Sequence, residues 1–328
     1  MKLTRTLGLA LTGFALLAGP ASAQDFPDHE ITLIVPQTPG GTTDTLSRIL
    51  AAAISKELGQ EIVVENVPGA GNTIGMTVVA DAKPDGYTLG VGSQSSLSIA
   101  PLRGMDLKYD AIESFVPVYN FGDVPNALLV NAEVGPKTLE ELVAYANENP
   151  GKLNFASGGV GTTSHFATAM FNTYAGISDK VVHVPYQGGG RVGGGLASGE
   201  SHYYVGPYSS TAVWGQIQAG TIIPLAVSGT ERVSSMPDTP TFAESGMPEY
   251  DNVGWYGMVA PAGTPQEIVA KLNAAGNAAA KTPEVIEALT NMGISPVQIT
   301  PEAFAAVVAA NLKSFTKLMD DGAVQIEE

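Results

Sequence analysis

Two short segments combine glycines with hydroxyl side chains at the point where a strand-like run gives way to a helical run. The first loop is residues 36–44 (PQTPGGTTD), and the second loop is residues 156–164 (ASGGVGTTS). Glycine leaves backbone N–H groups uncovered, and a helix start presents such groups at the positive end of the helix dipole. Groups arranged in this way bind anions. Two such loops predict a ligand that is held at both of its ends.

The elements around the two loops indicate an α/β fold. The run from Ile31 to Val35 is apolar and β-branched, which is typical of a buried strand, and apolar residues recur at helical spacing from Leu46 to Ile54. Gly59 is then placed to end that helix. The second loop likewise follows strand-like residues 153–155 and precedes a helical run at 166–174. Because strands and helices alternate almost throughout, we expect mostly parallel sheets flanked by helices.

Short polar segments predict where the chain passes between two domains. Such segments separate strand-like runs at residues 121–123 and 250–252. Two crossings make the first domain discontinuous, with residues 24–122 and 252–328, and make residues 123–251 an inserted second domain. The other strand candidates are residues 61–64, 87–91, 127–130, 181–184, 202–205, 222–227 and 255–260.

The first 23 residues predict a secretory signal peptide. A basic region with Lys2 and Arg5 precedes an apolar region at residues 7–18 and a small-residue cleavage site that ends at Ala23. No later stretch reaches about 18 unbroken apolar residues, so we expect a soluble mature protein. The chain has no cysteine for a disulfide or a lipid anchor. This pattern predicts a free protein of the bacterial periplasm.

The charge of the chain argues against two classes of partner. Its formal net charge is −16, which becomes −18 without Lys2 and Arg5 of the predicted signal peptide. Such a protein repels nucleic acid and anionic lipid at long range, and we interpret the charge mainly as a determinant of solubility. An anionic ligand must therefore be attracted locally, by oriented backbone amides and helix N-termini.

The sequence gives only weak evidence for an enzyme active site, a nucleotide-binding site or a metal site. Residues 69–71 (GAG) lack the spacing and the following acidic residue of a dinucleotide-binding fingerprint, so we interpret them as a structural turn. Ser164 and His165 are adjacent, and neighbouring helical side chains diverge by about 100°, so Ser164 is interpreted as a helix cap near the anion. The four histidines show no metal-ligand spacing, and no calcium-binding loop is present. We predict no catalytic site, no metal and no cofactor.

Four further side chains have two interpretations each. Asp44 would be an odd neighbour for a carboxylate, and we favour a role in ordering the first loop through hydrogen bonds to its backbone. Arg191 is equally compatible with bidentate anion binding and with a solvated surface position. For Trp255 and Tyr256, which lie in a strand-like run, packing is favoured over stacking on a ligand.

Several phrases share their order and spacing with one receptor family. They are residues 34–48 (IVP, GG, D and R), 64–71 (VENVPGAG), 84–89 (PDGYTL), 156–161 (ASGGVG), 183–186 (HVPY), 240–246 (PTFAESG) and 260–265 (APAGTP). On these phrases, residues 30–328 resemble the extracytoplasmic solute receptors of tripartite tricarboxylate transporters, also called Bug receptors. The resemblance implies a two-lobed Venus-flytrap receptor with a ligand cleft between the lobes. It also implies delivery of the ligand to a permease with one large and one small membrane subunit.

The resemblance further implies that one loop per lobe contacts carboxylates, mainly through backbone amides and hydroxyls. The matching residues of the first loop are Thr38, Gly40, Gly41 and Thr42. The matching residues of the second loop are Ser157, Gly158, Gly161, Thr162 and Ser164. The predicted ligand-binding set also includes Gln37, Asp44, Ser93, Tyr186, Gly188 and Tyr208.

The sequence departs from the family pattern at three places, of which the first two bear on the ligand and the third on the rigidity of its segment. Gln37 stands where the family usually has an aromatic residue, and residues 206–208 lie where receptors for amino acids place an aspartate. A buried ammonium needs a carboxylate partner, so we expect a dicarboxylate other than an acidic amino acid. Gln37 and Tyr208 are expected to offer polar groups to a hydroxylated or aromatic diacid. The glycine run 193–195 is expected to interrupt a helix, because glycine costs about 1 kcal/mol per helical position relative to alanine.

The leading hypothesis is a monomeric periplasmic binding protein for a small carboxylate, with no nucleic-acid partner. A receptor that engages a signalling partner is an alternative, because transport and sensing use the same closure on a ligand. A hydrolase of an anionic substrate is disfavoured, because the sequence has no nucleophile elbow, metal set or cofactor motif.

Overall fold

A computed structural model describes residues 26–294, 296–320 and 322, and the predicted signal peptide lies outside them. Within these residues the chain forms two five-stranded sheets flanked by helices, which confirms the α/β prediction. The strands in chain order are β1 (Ile31–Val35), β2 (Ile62–Asn66), β3 (Thr88–Ser93), β4 (Phe115–Val124), β5 (Asn126–Asn131), β6 (Leu153–Ser157), β7 (Val181–Pro185), β8 (Tyr203–Pro207), β9 (Ile222–Val227) and β10 (Gly254–Pro261). The helices in chain order are α1 (Thr42–Leu58), α2 (Thr73–Ala80), α3 (Leu139–Glu148), α4 (Thr163–Tyr174), α5 (Val192–Ala197), α6 (Thr211–Gln218), α7 (Gln266–Ala279), α8 (Pro283–Asn291) and α9 (Pro301–Asp320).

The two sheets share one design. The first has the strand order β2-β1-β3-β10-β4 and defines the first lobe, and the second has the order β7-β6-β8-β5-β9 and defines the second lobe. In each sheet the first three strands are parallel, and the fourth runs antiparallel to both of its neighbours. These fourth strands, β10 and β5, enter from the other lobe, so no strand–helix–strand crossover makes them parallel to their neighbours. Four of the five strands in each sheet therefore run in the same direction, which confirms the prediction of mostly parallel sheets, and one antiparallel strand makes each sheet mixed.

Both faces of each sheet are covered by helices. On β1, Ile31, Leu33 and Val35 pack into an apolar cluster with α1 and α7, whereas Ile34 packs on the opposite face with α2 and α9. Side chains alternate between the faces of a strand, and two buried faces require apolar residues at nearly every position. The same alternation on β6 divides its residues between two clusters of the second lobe. This packing fixes the carboxyl ends of β1 and β6, from which the two predicted loops emerge.

The described chain passes between the lobes at three places. β4 continues into β5 with only Pro125 between them. The return from β9 to β10 passes Tyr250, which packs in the second lobe, and reaches Trp255, which packs in the first. The last helix, α9, contacts the first lobe through Phe304 and the second lobe through Phe315.

The two predicted domain boundaries lie close to two of these crossings. The predicted crossing at residues 121–123 falls inside β4, a strand that the sequence reasoning did not predict, and the one at residues 250–252 falls just before β10. The prediction also gave residues 252–328 to the first domain. In the structure α9 is shared, because Phe315 stacks on Phe166 of the second lobe with ring centroids 4.3 Å apart.

The glycine run 193–195 lies inside α5 and does not interrupt it, so the expected interruption is wrong. Close packing explains two of the glycines. A Cβ on Gly193 would lie 2.6 Å from the carbonyl oxygen of Ala212, and a Cβ on Gly195 would overlap the hydroxyl of Tyr186. Glycine has a low helical propensity, but at residues 193 and 195 the neighbouring groups leave no room for a side chain. The helix is therefore built with glycine at these two positions.

Candidate functional site

The two predicted loops face each other across a cavity of about 570 Å³ between the lobes. The cavity lies at the carboxyl ends of the parallel strands, where α/β sheets commonly bind ligands. The described lining consists of Pro36 to Thr38, Thr42, Pro68 to Asn72, Arg103, Met105, Gly158 to Val160, Thr162 to Ser164, Tyr186 to Gly189, Tyr204, Pro207, Ser210 and Tyr256. Of these residues, only Arg103 is charged.

Asp44 orders the first loop from behind the cavity wall. It is 4 % exposed, and its two carboxylate oxygens accept hydrogen bonds from the Gly40 N–H (2.9 Å), from Arg48 (3.0 Å) and from Asn66 (3.0 Å). Burial alone would raise the pKa of Asp44, but these hydrogen bonds outweigh it and hold the pKa below its ordinary value. Gly40 adopts φ +83°, a left-handed conformation that glycine accepts without strain. Asp44 therefore occupies the loop-ordering position that we favoured.

The first loop offers hydroxyls and an uncapped helix start to the cavity. Thr38 and Thr42 line the wall, and α1 begins at Thr42 with no side chain capping its N-terminus. The first backbone N–H groups of α1 therefore remain available to a ligand. Gln37 also lines the wall, where its amide oxygen accepts the Thr43 hydroxyl at 2.6 Å. This wall presents hydrogen-bond donors and no charge.

The second loop is folded by its own hydroxyl groups. Thr162 caps α4, since its oxygen accepts the His165 N–H at 3.4 Å while its hydroxyl donates to the Gly159 carbonyl at 2.7 Å. Ser164 lies in the first turn of α4, where its oxygen accepts the Gly158 N–H at 3.0 Å. The interpretation of Ser164 as the helix cap is therefore wrong, because Thr162 occupies that position. Both residues line the cavity.

Two stacked histidines support the second loop from the side away from the cavity. The rings of His165 and His183 are parallel with centroids 4.1 Å apart, and Phe155 stacks on His183 at 4.7 Å. His183 Nε2 lies 2.7 Å from the Ser157 hydroxyl, and His165 Nδ1 accepts the Gly161 N–H at 3.2 Å. Burial, with smaller contributions from the neighbouring His183 and Arg103, lowers the pKa of His165 to about 3, and burial lowers the pKa of His183 to about 4. Both rings are neutral at neutral pH and hold the loop through hydrogen bonds.

Two further loops line the cavity, and the sequence reasoning recognised only part of them. Residues 68–72 follow β2 and residues 186–189 follow β7, and these strands occupy the same position in the two sheets. Gly69 and Gly188 open the two turns with related backbone angles, φ +135° and ψ 157° against φ +93° and ψ 156°. The interpretation of residues 69–71 as a turn is correct for the backbone but incomplete, because the turn is also a wall of the cavity.

Arg103 is the charged lining residue that the sequence reasoning missed. It ends a 3₁₀ turn (Ala100–Arg103) that follows a short π-helical segment (Ser95–Ile99) between β3 and β4. A Cβ on Gly71 would lie 3.1 Å from Arg103 Nη1, and a Cβ on Gly161 would overlap the guanidinium. Within the described residues, no hydrogen bond or ion pair engages Arg103. A lone arginine in an irregular segment has no periodicity or motif that could have marked it.

Contacts across the cavity hold the two lobes together. The Ser95 hydroxyl lies 3.0 Å from the carbonyl oxygens of both Gly71 in the first lobe and Gly161 in the second. Thr38 lies so close to Gly188 that a Cβ on this glycine would overlap the threonine hydroxyl. The structure therefore represents the closed arrangement of the lobes.

The structure brings about half of the predicted ligand-binding set to the cavity. Gly40 instead lines a neighbouring hollow together with the exposed Arg191. The predicted residues that line the cavity are Gln37, Thr38, Thr42, Gly158, Thr162, Ser164, Tyr186 and Gly188. The predicted residues outside both linings are Gly41, Asp44, Ser93, Ser157, Gly161 and Tyr208.

Tyr208 does not offer its hydroxyl to the cavity, and that expectation is wrong. The residue is 1 % exposed, its hydroxyl lies 3.2 Å from the Ser235 hydroxyl, and its ring packs near Trp214. The absence of a side chain on Gly293 makes room for the Tyr208 hydroxyl. Pro207, the last residue of β8, lines the cavity, and at the next residue the chain has already turned away.

Two aromatic residues of β10 differ in their roles. Trp255 packs edge-to-face on Phe304 with centroids 5.4 Å apart, as predicted, whereas Tyr256 lines the cavity.

In the described part of the chain, no group of three or more histidine or acidic residues could hold a metal ion. Among the helices of the described residues, none has the length and hydropathy of a membrane span.

Residues 46–322 match the family described as the tripartite tricarboxylate transporter family receptor. The chain belongs to this receptor family. It is 32 % identical to the protein BugT of Bordetella pertussis over 338 aligned positions, which cover 100 % of both chains. It is also 34 % identical over 314 positions to a protein of Pseudomonas sp. strain P51, with 95 % of this chain and 91 % of the relative covered.

Solved structures agree with the fold of this family member. The periplasmic binding protein BugD superposes with a TM-score of 0.85 at 31 % identity, covering 92 % of this chain and 99 % of BugD. MatC of Rhodopseudomonas palustris, solved with bound malate, gives 0.84 at 33 % identity, covering 89 % and 99 % of the two chains. An R. palustris protein solved with adipate gives 0.86 at 32 % identity, covering 92 % and 99 %. The chain is therefore a two-lobed solute-binding receptor and not an enzyme.

Proposed function

We propose that this receptor binds a small dicarboxylate between its lobes in the periplasm and delivers it to a tripartite tricarboxylate-type permease. One observation carries the proposal: the cavity wall combines hydroxyls, uncapped helix starts and one cation, and its described residues include no acidic side chain. Such a wall offers many hydrogen-bond donors to a carboxylate and no repulsive partner. A carboxylate is the ligand group that uses these donors best.

The lining also argues against an acidic amino acid as the ligand. An ammonium group enclosed in the cavity would need an anionic partner, because a buried unpaired charge is strongly unfavourable. The described wall instead carries Pro207 in the region where receptors of this family that bind amino acids place an aspartate. Diacids that carry no ammonium group, hydroxylated or not, meet no such penalty.

Cavity size and related proteins narrow the ligand class further. A volume of about 570 Å³ lies within the range of about 300–1,000 Å³ that is usual for small-molecule sites. Two related structures were solved with malate and with adipate, both dicarboxylates. By similarity, a linear dicarboxylate of four to six carbons is the class to test first.

The proposed function includes a cellular setting. Residues 1–23 would direct export and be removed, and the mature receptor would act as a monomer. Residues 24–122 with 252–328 would move as one lobe and residues 123–251 as the other, with α9 bridging them. The closed receptor would then be recognised by the large and small permease subunits that such transporters possess.

A thermal-shift screen tests the ligand class. The mature protein is heated with C4–C8 dicarboxylates, citrate, aromatic diacids, aspartate and glutamate, each over a concentration series. We expect a linear dicarboxylate to give the largest rise in melting temperature. A larger shift with aspartate or glutamate would refute the argument from the missing acidic residue, and stabilisation by uncharged solutes alone would refute the carboxylate proposal.

A further inference from the structure

Three residues of the cavity lining have polar side-chain groups without hydrogen-bond partners among the described residues. These groups are the Arg103 guanidinium, the Asn72 amide nitrogen and the Thr163 hydroxyl. Asn72 is 5 % exposed and Thr163 is 6 % exposed, so both are more than nine-tenths buried. Buried polar groups almost always have hydrogen-bond partners in folded proteins. Two such groups in one cavity wall, beside an unpaired arginine, indicate that a ligand supplies the partner.

Backbone geometry draws these three residues to one part of the wall. Gly71 directly precedes Asn72, and a Cβ on Gly71 would lie 3.1 Å from Arg103 Nη1. Gly161 lies two residues before Thr163, and a Cβ there would overlap the same guanidinium. The guanidinium therefore sits between the loop of the first lobe that carries Asn72 and the loop of the second lobe that carries Thr163. The two glycines make this close approach possible.

The chemistry of the three groups is that of an anion site. A guanidinium has five N–H donors and no acceptor, and the free atoms of Asn72 and Thr163 can both donate. The planar fork of an arginine matches the two oxygens of a carboxylate. The described cavity wall contains no acidic residue that could neutralise Arg103 in place of a ligand.

We propose that Arg103, Asn72 and Thr163 form a charged subsite for one carboxylate of the ligand, and that this subsite makes the receptor prefer a dicarboxylate over a monocarboxylate of the same length. The inference rests on the proposed function, because the other carboxylate is assigned to the amides and hydroxyls of the first and second loops. Arg103 and Asn72 come from the first lobe and Thr163 from the second. An anion at this subsite therefore links the lobes in the closed state.

Matched pairs of ligands isolate this subsite. Calorimetry measures the affinity of adipate against hexanoate, and of succinate against butyrate, so that each pair differs by one carboxylate. The proteins are the mature wild type, Arg103→Gln, Arg103→Lys and Thr163→Val, with Arg191→Gln as a control that removes one positive charge outside the cavity lining. Circular dichroism verifies the fold of each protein.

The expected result is a loss of selectivity in the subsite variants. In Arg103→Gln, the affinity for the preferred dicarboxylate should fall about 10- to 100-fold while the affinity for its monocarboxylate stays unchanged, since a charge-assisted pair is lost. Arg103→Lys should keep part of the preference, because it retains the charge without the planar fork. Arg191→Gln should leave both affinities unchanged.

Each contrary outcome is informative. A dicarboxylate-to-monocarboxylate ratio in Arg103→Gln that equals the wild-type ratio overturns the subsite and leaves the proposed function intact. If Arg103→Gln does not fold, Thr163→Val decides, and an unchanged ratio in that variant overturns the subsite equally. A wild-type protein that binds none of the four probes or their C5–C8 homologues overturns the proposed function and the subsite together.

Discussion

Lowering the pH from 7.5 to 5 is expected to destabilise the ligand-free protein through His165. This ring is 3 % exposed behind the second loop, and its pKa is lowered from 6.5 to about 3. In the unfolded chain the imidazole titrates near its ordinary pKa, so below about pH 6.5 the unfolded state binds a proton that the folded state does not. The stabilisation is therefore fully present above the unfolded pKa and is lost as the pH falls toward the folded pKa.

The magnitude depends little on how far the folded pKa lies below 5. At pH 5 the unfolded ring is protonated 1.5 pH units below its pKa of about 6.5, which corresponds to about 2 kcal/mol of lost stability from this residue alone. His183 shifts in the same direction, with a pKa of about 4, and by the same arithmetic adds a comparable loss. A loss of about 2 kcal/mol is a large fraction of the stability of a typical domain.

Urea unfolding followed by tryptophan fluorescence measures this loss. Wild type and His165→Gln are compared at pH 7.5 and at pH 5, and the cost of the substitution at pH 7.5 is subtracted. We expect the wild type to lose about 2 kcal/mol more than the variant between the two pH values. Equal losses in the two proteins would refute the argument that a buried neutral His165 supports the second loop.

Further predictions concern glycine packing and closure. Gly194→Ala should raise the free energy of unfolding by about 0.5–1 kcal/mol, because the added Cβ meets no atom. Gly195→Ala should lower it by about 1–3 kcal/mol, because the added Cβ displaces the Tyr186 hydroxyl. The melting temperatures of the two variants should therefore shift in opposite directions. Gly188→Ala should weaken dicarboxylate binding in calorimetry. Alanine at this positive φ costs about 1–3 kcal/mol, and its Cβ collides with Thr38 in the closed state. An unchanged affinity would contradict the contact between Thr38 and Gly188. A dicarboxylate at 100 times its Kd should stabilise the protein by about 2.7 kcal/mol and reduce the radius of gyration in solution scattering, and a tight ligand that does neither would contradict closure between lobes.

Much of the fold could be predicted from local sequence patterns. The bounds of β1 and β9 match the runs Ile31–Val35 and Ile222–Val227, because an apolar strand limited by turn residues carries its own signal. β4 gives no comparable signal. It contains Pro117, Asn120 and Asp123, and it is a strand because it pairs with β10, far away in sequence.

The candidate site was predictable only where it is built by contiguous residues. The first and second loops were found because strand, glycines, hydroxyls and helix follow one another in the chain. Arg103 reaches the same cavity through the irregular segment between β3 and β4, and only the folded chain sets it against Gly71 and Gly161. Tyr208 was predicted to reach the cavity but does not. It directly follows Pro207 of the lining, yet its hydroxyl lies against Ser235.

The passage of the chain between the lobes has a consequence for how the molecule unfolds. The first sheet is complete only when β10 returns from the second lobe, β4 and β5 form nearly one continuous strand, and α9 is anchored in both cores. If one lobe unfolded, the other lobe would lose hydrogen bonds between strands and packing contacts with α9. Denaturation should therefore be a single cooperative transition rather than two, and a stability measured for this protein belongs to both lobes together.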